Sequence, residues 1–176
     1  RHKVSFVSVT QQFNTTTSMG RLMLNVLLSF AQFEREVTGE RIRDKIAASK
    51  RKGIWMGGYP PLGYDVKDRQ LIANAAEAVT VERIFQRFAD LRSITEVCRE
   101  LALDGVTTKG WKTRDGNIRL GTPMDKKYVS KALRNPIYVG EIGHKGTVHA
   151  GQHEPIITRQ LWDRVQAILA EDAHER

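Results

Sequence analysis

The sequence of 176 residues lacks the features that define several large classes of protein. It has one cysteine, Cys98, which excludes an internal disulfide and a zinc site built from several cysteines. No apolar run approaches the roughly 20 residues needed to cross a bilayer, and the segment after Arg1–Lys3 is too polar for a signal peptide. These absences predict a cytoplasmic protein. A glycine-rich dinucleotide motif, a P-loop and a magnesium-binding acidic cluster are also missing, so neither a cofactor nor a metal is expected.

Positive charge is concentrated in two blocks, and the formal net charge is +8. Arg35–Lys52 contains seven Lys or Arg against three Asp or Glu, and Lys109–Arg134 contains eight against two. The segment between them, Leu71–Gly105, contains four against six. One basic block is compatible with a merely solvated face. Two blocks flanking a mildly acidic segment favour nucleic acid as the partner.

Residues 18 to 52 predict one long helix, apolar in its first half and basic in its second. Thr17 or Ser18 is expected to cap its first turn. At about 50 Å the helix is too long for a small domain to cover, so we expect it to project and to pack its apolar stripe on another subunit. The other interpretation is a core helix of a monomer. The stripe follows the i, i+3, i+4 spacing of a buried face and consists of Met19, Leu22, Met23, Val26, Leu27, Phe30, Phe33 and Val37.

Gly53–Tyr64 predicts an extended strap after the long helix. Gly53 suits the first position beyond a helix end, and the two prolines that follow fix an extended backbone. Gly57 and Gly58 make the strap narrow. Its place directly after a basic helix is compatible with a strap that lies in a DNA groove.

The remaining patterns predict short strands and four further helices. The predicted strands cover Val4–Val9, Asp68–Ile72, Ile137–Ile142 and Thr147–Ala150. The predicted loops cover Gln11–Thr17 and Val106–Gly121. The predicted helices cover Ala76–Leu91, a segment opened by the capping box Ser93–Glu96, Thr122–Arg134 with Thr122 as cap and Pro123 in the first turn, and Thr158–Ala170.

The two central helices of this region and the hairpin after them predict a helix-turn-helix-like pair with a wing. Their connection is longer than the standard tight turn. In the second helix, Lys127, Ser130, Lys131 and Arg134 share one face, with the spacing needed to enter a major groove. The competing interpretation is a solvated basic face.

Other chemistry-bearing residues favour structural roles. His149, His153 and Glu154 could be drawn as metal ligands on a hairpin, but no fourth ligand suggests itself. Ser5 and Ser8 lie in a predicted strand without a nearby base. Cys98 lies on the apolar face of its helix and is expected to pack rather than react.

Three runs of residues resemble one protein family. Thr17–Arg21 and Phe30–Glu36, followed by Glu40–Arg41, resemble the end of the catalytic domain and the long helix of serine recombinases. Gly57–Tyr64 resembles the linker of the large serine recombinases, and Leu133–Glu141 resembles a signature of their recombinase domain. Together the runs extend over nearly the whole chain in the family's order.

The resemblance implies an α+β, mainly helical fold, in which a long projecting helix joins a small winged-helix-like recombinase domain. It implies residues 1–17 as the last strand and loop of a catalytic domain, 18–52 as the helix, 53–70 as the linker and 71–176 as the DNA-binding domain. The implied activity is site-specific recombination of the integrase or invertase type by a protein of bacterial, phage or mobile-element origin. In that family a serine attacks a DNA phosphodiester, and the phosphoserine intermediate conserves the bond energy without a metal or cofactor.

The resemblance also implies which residues contact partners. Strands would be exchanged by rotation in a tetramer, with double-stranded DNA and further copies of the chain as partners. The expected DNA contacts are Glu40, Arg41, Arg43, Lys45, Lys50, Arg51, Lys52, Gly57, Gly58, Lys109, Lys112, Lys126, Lys127, Tyr128, Ser130, Lys131 and Arg134. The expected oligomer contacts are Met19, Leu22, Met23, Val26, Leu27, Phe30 and Phe33.

The family's nucleophilic serine belongs to a segment before Arg1, and the sequence begins with Arg rather than Met, so we expect a part of a longer protein. This part is expected to bind duplex DNA without cleaving it. Two alternatives remain at this point. One is a stand-alone winged-helix DNA-binding regulator without recombination activity, and the other is a helical protein whose basic faces meet acidic protein partners.

Overall fold

The computed structural model describes residues 7–8, 13–14, 17–112 and 116–174, in which α-helices alternate with small two-stranded antiparallel sheets. The predicted α+β, mainly helical fold is therefore confirmed. The chain divides into two compact units, residues 1–46 and residues 47–176. In the described part of the chain, the helices lack the length and apolar character needed to span a membrane.

The first unit contains a short hairpin and most of the long helix. Strand β1 (Val7–Ser8) pairs with β2 (Phe13–Asn14). Most of the strand predicted over residues 4–9 lies outside the described residues. The loop predicted for residues 11–17 is wrong at residues 13–14, because they pair with β1.

Helix α1 covers Ser18–Arg51, which confirms the predicted long helix. The Oγ1 atom of Thr17 accepts a hydrogen bond from the amide of Gly20 at 3.0 Å, so Thr17 caps the first turn as predicted. The structure buries none of the side chains of α1, and Met19 and Phe30 are 72% and 65% exposed. The apolar stripe is therefore left uncovered by the described residues.

Gly53 ends α1 in the predicted way. Its φ of +71° lies in the left-handed region, its amide bonds to the carbonyl of Lys50 at 3.0 Å, and the amide of Ile54 bonds to the carbonyl of Ser49 at 3.0 Å. These two bonds satisfy carbonyls that the helix leaves unpaired.

The second unit contains the remaining elements, in helical layers with three hairpins. Its helices are α2 (Ala75–Leu91), α3 (Ile94–Leu103), α4 (Lys126–Leu133) and α5 (Arg159–His174), and a 3₁₀ helix covers Pro136–Val139. Its strands pair as β3 (Tyr64–Lys67) with β4 (Gln70–Ala73), β5 (Trp111–Lys112) with β6 (Ile118–Arg119) and β7 (Glu141–His144) with β8 (Thr147–Ala150).

The hydrophobic core lies where α2, α3, α4 and α5 meet. Phe85 of α2 is fully buried and contacts the rings of Tyr138 and Trp162, with centroids 5.7 Å and 5.9 Å away. Aromatic side chains at such distances contribute both buried area and favourable ring geometry. Cys98 packs against the same core, and burial raises the pKa of its thiol. The predicted packing role of Cys98 is confirmed.

The boundaries of α2, α3 and α5 follow their sequence signals closely. The capping box is present on the serine side, where Ser93 Oγ accepts from the amide of Glu96 at 3.4 Å. Helix α5 starts within one residue of the predicted position and continues to His174.

Four local predictions are wrong. The cap of α4 is Asp125 rather than Thr122, because Thr122 instead pairs its backbone carbonyl with the amide of Thr108 at 2.8 Å. The strand predicted over residues 68–72 is split, since Asp68 and Arg69 adopt positive φ and form the turn of a hairpin. The strand predicted from residue 137 begins only at Glu141, because the proline at position 136 starts a 3₁₀ turn. The predicted loop between α3 and α4 also contains the hairpin β5–β6.

Candidate nucleic-acid interface

Helix α4 is held firmly enough to present one defined face. Val129 and Leu133 are fully buried, and Asp125 accepts a hydrogen bond from the amide of Tyr128 at 2.7 Å. At the other end, Gln166 of α5 donates from Nε2 to the carbonyl of Leu133 at 2.7 Å. Both ends of this eight-residue helix are therefore satisfied by side chains, and its buried face is the predicted one.

The opposite face of α4 is cationic. Lys127 and Lys131 are exposed on it, as is Arg134 directly after the helix, and Lys126 is exposed in the first turn. The guanidinium of Arg134 donates to Oγ of Ser130, which directs the arginine back along the helix. The structure thus places the residues of the predicted recognition face together.

The cations of α4 differ from those of α2 and α3 in lacking carboxylate partners. Among the described residues, no ion pair involves Lys126, Lys127, Lys131 or Arg134. By contrast, Arg87 of α2 binds Glu100 of α3 through Nε and Oε2 at 2.7 Å. Ion pairs of the same kind join Arg83 with Asp104, Arg92 with Glu171, Arg99 with Glu96, Arg159 with Glu141 and Arg164 with Asp90. Positive charge is therefore neutralised around α2 and α3 and left unpaired on α4.

The strap, residues 53–64, lies beside helix α4. Gly57 and Gly58 are exposed with φ of +91° and +105°, and a Cβ atom at Gly57 would meet no atom within 4 Å. A cleft of about 370 Å³ separates the strap from α4 and is lined by Tyr59, Tyr128 and Lys131, among others. The positive φ values explain why glycine is needed at these two positions, and the open space leaves their backbone accessible.

Lys109 has a different environment from the one that its DNA-contact prediction requires. Its Nζ lies 2.7 Å from Asp65 Oδ1 and 2.7 Å from Glu77 Oε2, and its side chain is 9% exposed. Burial would lower the pKa of Lys109, but hydrogen bonds with the two carboxylates outweigh it and raise that pKa. The hydrogen bond with Lys109 in turn lowers the pKa of Asp65. Lys109 therefore joins the β3–β4 hairpin, α2 and the loop after α3.

The other predicted DNA contacts lie on or near α1. In the first unit, Arg41, Arg43 and Lys45 are exposed, as is Glu40. In the second unit, Lys50 is half-buried, whereas the side chains of Arg51 and Lys52 are exposed. The side chain of Lys112 lies outside the described part of the structure.

The histidines considered as metal ligands have structural contacts. His153 packs edge-on against Tyr64, with ring centroids 5.3 Å apart, and its Nε2 lies 2.7 Å from the carbonyl oxygen of Ile137. The hydroxyl of the fully buried Tyr64 donates to the carbonyl of Glu154 at 2.7 Å. Sequence reasoning missed this buried cluster, since its members lie up to 90 residues apart.

Comparison with known families identifies the chain. A family model described as Recombinase matches residues 75–172, which is over half of the chain. The chain belongs to the serine recombinases. A second model, described as Resolvase, N terminal domain, matches residues 1–55.

Curated relatives of this serine recombinase come from mobile elements. It is 37% identical to the Transposon Tn917 resolvase of Enterococcus faecalis over 60 residues, which are 34% of this chain and 32% of the relative. It is 38% identical to the Serine recombinase gin of Escherichia phage Mu over 58 residues, which are 33% of this chain and 30% of that protein. The matched segment is thus about a third of each relative.

Two solved structures share the fold of the recombinase. One, described as a crystal structure of an LSR–DNA complex, has a TM-score of 0.62 and 26% identity, covering 76% of this chain and 38% of the other. The second, from work on the Listeria innocua prophage attP site, has a TM-score of 0.60 and 25% identity, covering 74% and 51%. The resemblance noted in the sequence is confirmed.

Proposed function

We propose that this chain is the DNA-binding and oligomerising portion of a site-specific serine recombinase of the integrase or invertase type. The chain spans 38% and 51% of the two similar solved proteins, so strand exchange through a phosphoserine intermediate is proposed for a whole protein. The observation that carries the proposal is the cationic face of α4, whose charges lack carboxylate partners among the described residues. One of the similar proteins was solved in a complex with DNA, which supports the same partner.

The proposed contacts fall into three groups. Lys126, Lys127, Lys131 and Arg134, with Ser130 and Tyr128, would enter the major groove or contact its phosphates. Gly57 and Gly58 would let the strap approach a groove closely. Arg41, Arg43, Lys45, Lys50, Arg51 and Lys52, with Glu40 among them, would place the second half of α1 beside the phosphate backbone. Lys109 is left out because its ammonium ion already bonds to two carboxylates.

Duplex DNA binding should depend strongly on salt. Each phosphate that a lysine or arginine neutralises releases counterions, so the logarithm of the affinity should fall by about 0.9 per tenfold rise in salt for each contact. Fluorescence anisotropy with a labelled duplex across a salt series measures this slope. If each of the four α4 cations contacts one phosphate, they should contribute about 3.6 to the magnitude of this slope. A chain that binds an acidic protein but not duplex DNA would refute the proposal.

We propose that oligomerisation uses the apolar stripe of α1. Met19, Leu22, Met23, Val26, Leu27, Phe30 and Phe33 are all exposed in the single chain, and their common face is a large apolar surface. Monomeric proteins rarely leave such a continuous patch in water. A second copy of α1 offers an equally apolar surface and is the proposed cover.

Charge placed in this stripe should prevent self-association. The double variant Leu27→Lys/Phe30→Lys is expected to weaken the dimer at least about a hundredfold, because it would bury unpaired ammonium ions. Sedimentation equilibrium across protein concentration measures the effect. The matched control is Val79→Lys/Leu103→Lys, which changes two exposed apolar residues of the second unit and should leave association unchanged. A wild-type chain that stays monomeric at tens of micromolar would contradict this role for α1.

The stand-alone regulator is not favoured, because the resolvase model matches residues 1–55 in addition to the recombinase match. A regulator would need only the second unit for its function.

A further inference from the structure

A second cationic cluster lies at the end of α1. None of its residues belongs to α4. It combines Lys50 of α1 with His144, Lys145 and His149 of the β7–β8 hairpin. Partial burial lowers the pKa of the His144 imidazole, and the neighbouring Lys50, Lys145 and His149 lower it further. The cluster therefore brings two separate segments of the second unit together.

The hairpin is fastened to the helix end by backbone and side-chain bonds. The amide of Gln152 donates to the carbonyl of Gly53 at 3.0 Å, and Nε2 of Gln152 donates to the carbonyl of Lys52 at 2.8 Å. A Cβ atom at Gly53 would lie 2.3 Å from the carbonyl oxygen of Ala150, which shows how closely the two backbones approach. The relative placement of Lys50 and the hairpin is thus fixed by the fold and does not depend on flexible side chains alone.

The strand register places the two histidines on one face of the hairpin. His149 lies opposite the buried Ile142, and His144 lies opposite Thr147, two residues further along each strand. Residues two apart on a strand share a face, so His144 and His149 lie on the side that carries Ile142. Lys145 occupies the exposed turn with φ of +48°, beside Gly146 at +81°.

The cluster is short of negative charge. In the described part of the chain, no ion pair involves Lys50, His144, Lys145 or His149, and Glu141 on the same hairpin is paired with Arg159. Cations held close together repel one another, and partial burial of Lys50 and His144 adds a desolvation cost. An anion at this place would offset the repulsion between the cations.

We propose that the β7–β8 turn and the last turn of α1 form one binding site for backbone phosphates of duplex DNA, with Lys50 and Lys145 as the principal cations and His144 and His149 as hydrogen-bond donors. This inference rests on the proposed function. It adds the β7–β8 hairpin, the predicted wing, to the DNA contacts that the sequence suggested. DNA is favoured over an acidic protein because Lys50 is followed directly by the exposed Arg51 and Lys52 of the same unit, so one polyanion could contact these cations and the hairpin. The phosphate contacts here would position the duplex without reading its sequence.

The test compares two hairpins of the same unit. Lys145→Gln/His144→Gln removes the cation and the imidazole at the β7–β8 turn while keeping polar side chains of similar length. Arg69→Gln is the control, since Arg69 occupies the exposed two-residue turn of β3–β4 with φ of +62°. Anisotropy with a labelled duplex should give about fivefold weaker binding for the β7–β8 variant and a salt slope smaller by about 0.9, because one cation is removed. The Arg69→Gln protein should bind like the wild type.

A second measurement does not depend on variants. Side-chain NMR signals of His144 and His149 in the wild-type chain should shift when duplex DNA is added, whereas the ring signal of His153, whose Nε2 lies 2.7 Å from the carbonyl oxygen of Ile137, should not. Unchanged signals for both histidines, or identical slopes for the β7–β8 variant and the wild type, would overturn this site while leaving the α4 contacts in place. Failure of the wild-type chain to bind duplex DNA would instead refute the proposed function. Binding of an acidic protein with unaltered DNA affinity in the variant would assign the cluster to that other partner.

Discussion

Replacing Lys127, Lys131 and Arg134 together with glutamine is expected to weaken duplex DNA binding roughly a hundredfold near physiological salt, with a salt slope reduced by about 2.7. The three side chains are exposed on one face of α4, and within the described residues they have no carboxylate partners that would compete with phosphate. Because the helix is capped by Asp125 and held by Gln166 at its other end, the substitutions should not disturb its position. Fluorescence anisotropy across a salt series measures both quantities.

A control variant with the same change in net charge distinguishes the loss of specific DNA contacts from a general loss of positive charge. Lys67, Arg69 and Arg99 are exposed cations of the same unit, and of these only Arg99 lies near a carboxylate, that of Glu96 at 3.8 Å. Replacing these three with glutamine should change the slope by much less than the α4 variant does. Equal losses for the two triple variants would mean that DNA responds to overall charge, and the recognition role of α4 would then be abandoned.

Gly53→Ala is expected to lower the free energy of unfolding of the second unit by about 3 kcal/mol. A positive φ costs a non-glycine residue about 1 kcal/mol. The new Cβ would also lie 2.3 Å from the carbonyl oxygen of Ala150, so the two hydrogen bonds from Gln152 would break, each worth about 1 kcal/mol. Chemical denaturation followed by circular dichroism measures the loss.

Gly57→Ala is the matched control for this prediction. Gly57 also has a positive φ, of +91°, but a Cβ atom there would meet nothing within 4 Å. The Gly57→Ala variant should therefore lose only about 1 kcal/mol of its free energy of unfolding, which is the cost of the positive φ. If the two alanine variants were equally stable, the close approach between Gly53 and Ala150 would have no energetic importance. The Gly53→Ala protein should also bind DNA more weakly if the wing site is correct.

Local sequence signals predicted the helices well. The start of α3 at Ser93 and the end of α1 at Gly53 depend on hydrogen bonds between residues three to five apart, so the residues that decide them are adjacent in the sequence. The apolar stripe of α1 was also recognisable from spacing. Its exposure was not, because periodicity shows which face is apolar but not what covers it.

The predictions that failed depend on distant partners or unusual backbone conformations. Asp68 and Arg69 adopt positive φ although neither is glycine, so their sequence gave no strong sign of a turn. Thr122 looks like a helix cap, but its carbonyl is taken by Thr108, 14 residues earlier. The ion pairs of Lys109 were unpredictable for the same reason, because its two carboxylate partners lie 44 and 32 residues away in the sequence. A charge count cannot distinguish such a paired lysine from an unpaired one.

The α4 face was predictable and the wing cluster was not. Lys127, Lys131 and Arg134 form a basic run on one predicted helix, so spacing alone brought them together. Lys50 and His144 are separated in sequence by most of the second unit, and the bonds from Gln152 bring the β7–β8 hairpin to the end of α1.

The absence of buried side chains in α1 has a consequence for how the recombinase would assemble. An unsupported helix gains little from its own hydrogen bonds, since most helical stability in proteins comes from packing. The half-buried turn from Ala47 to Lys50 supplies a nucleus, so unwinding should proceed from the Ser18 end toward it. Pairing of two such helices would then order the chain and join the copies in one event. On the proposed pairing, mass action would therefore couple the helical content of α1 to the protein concentration.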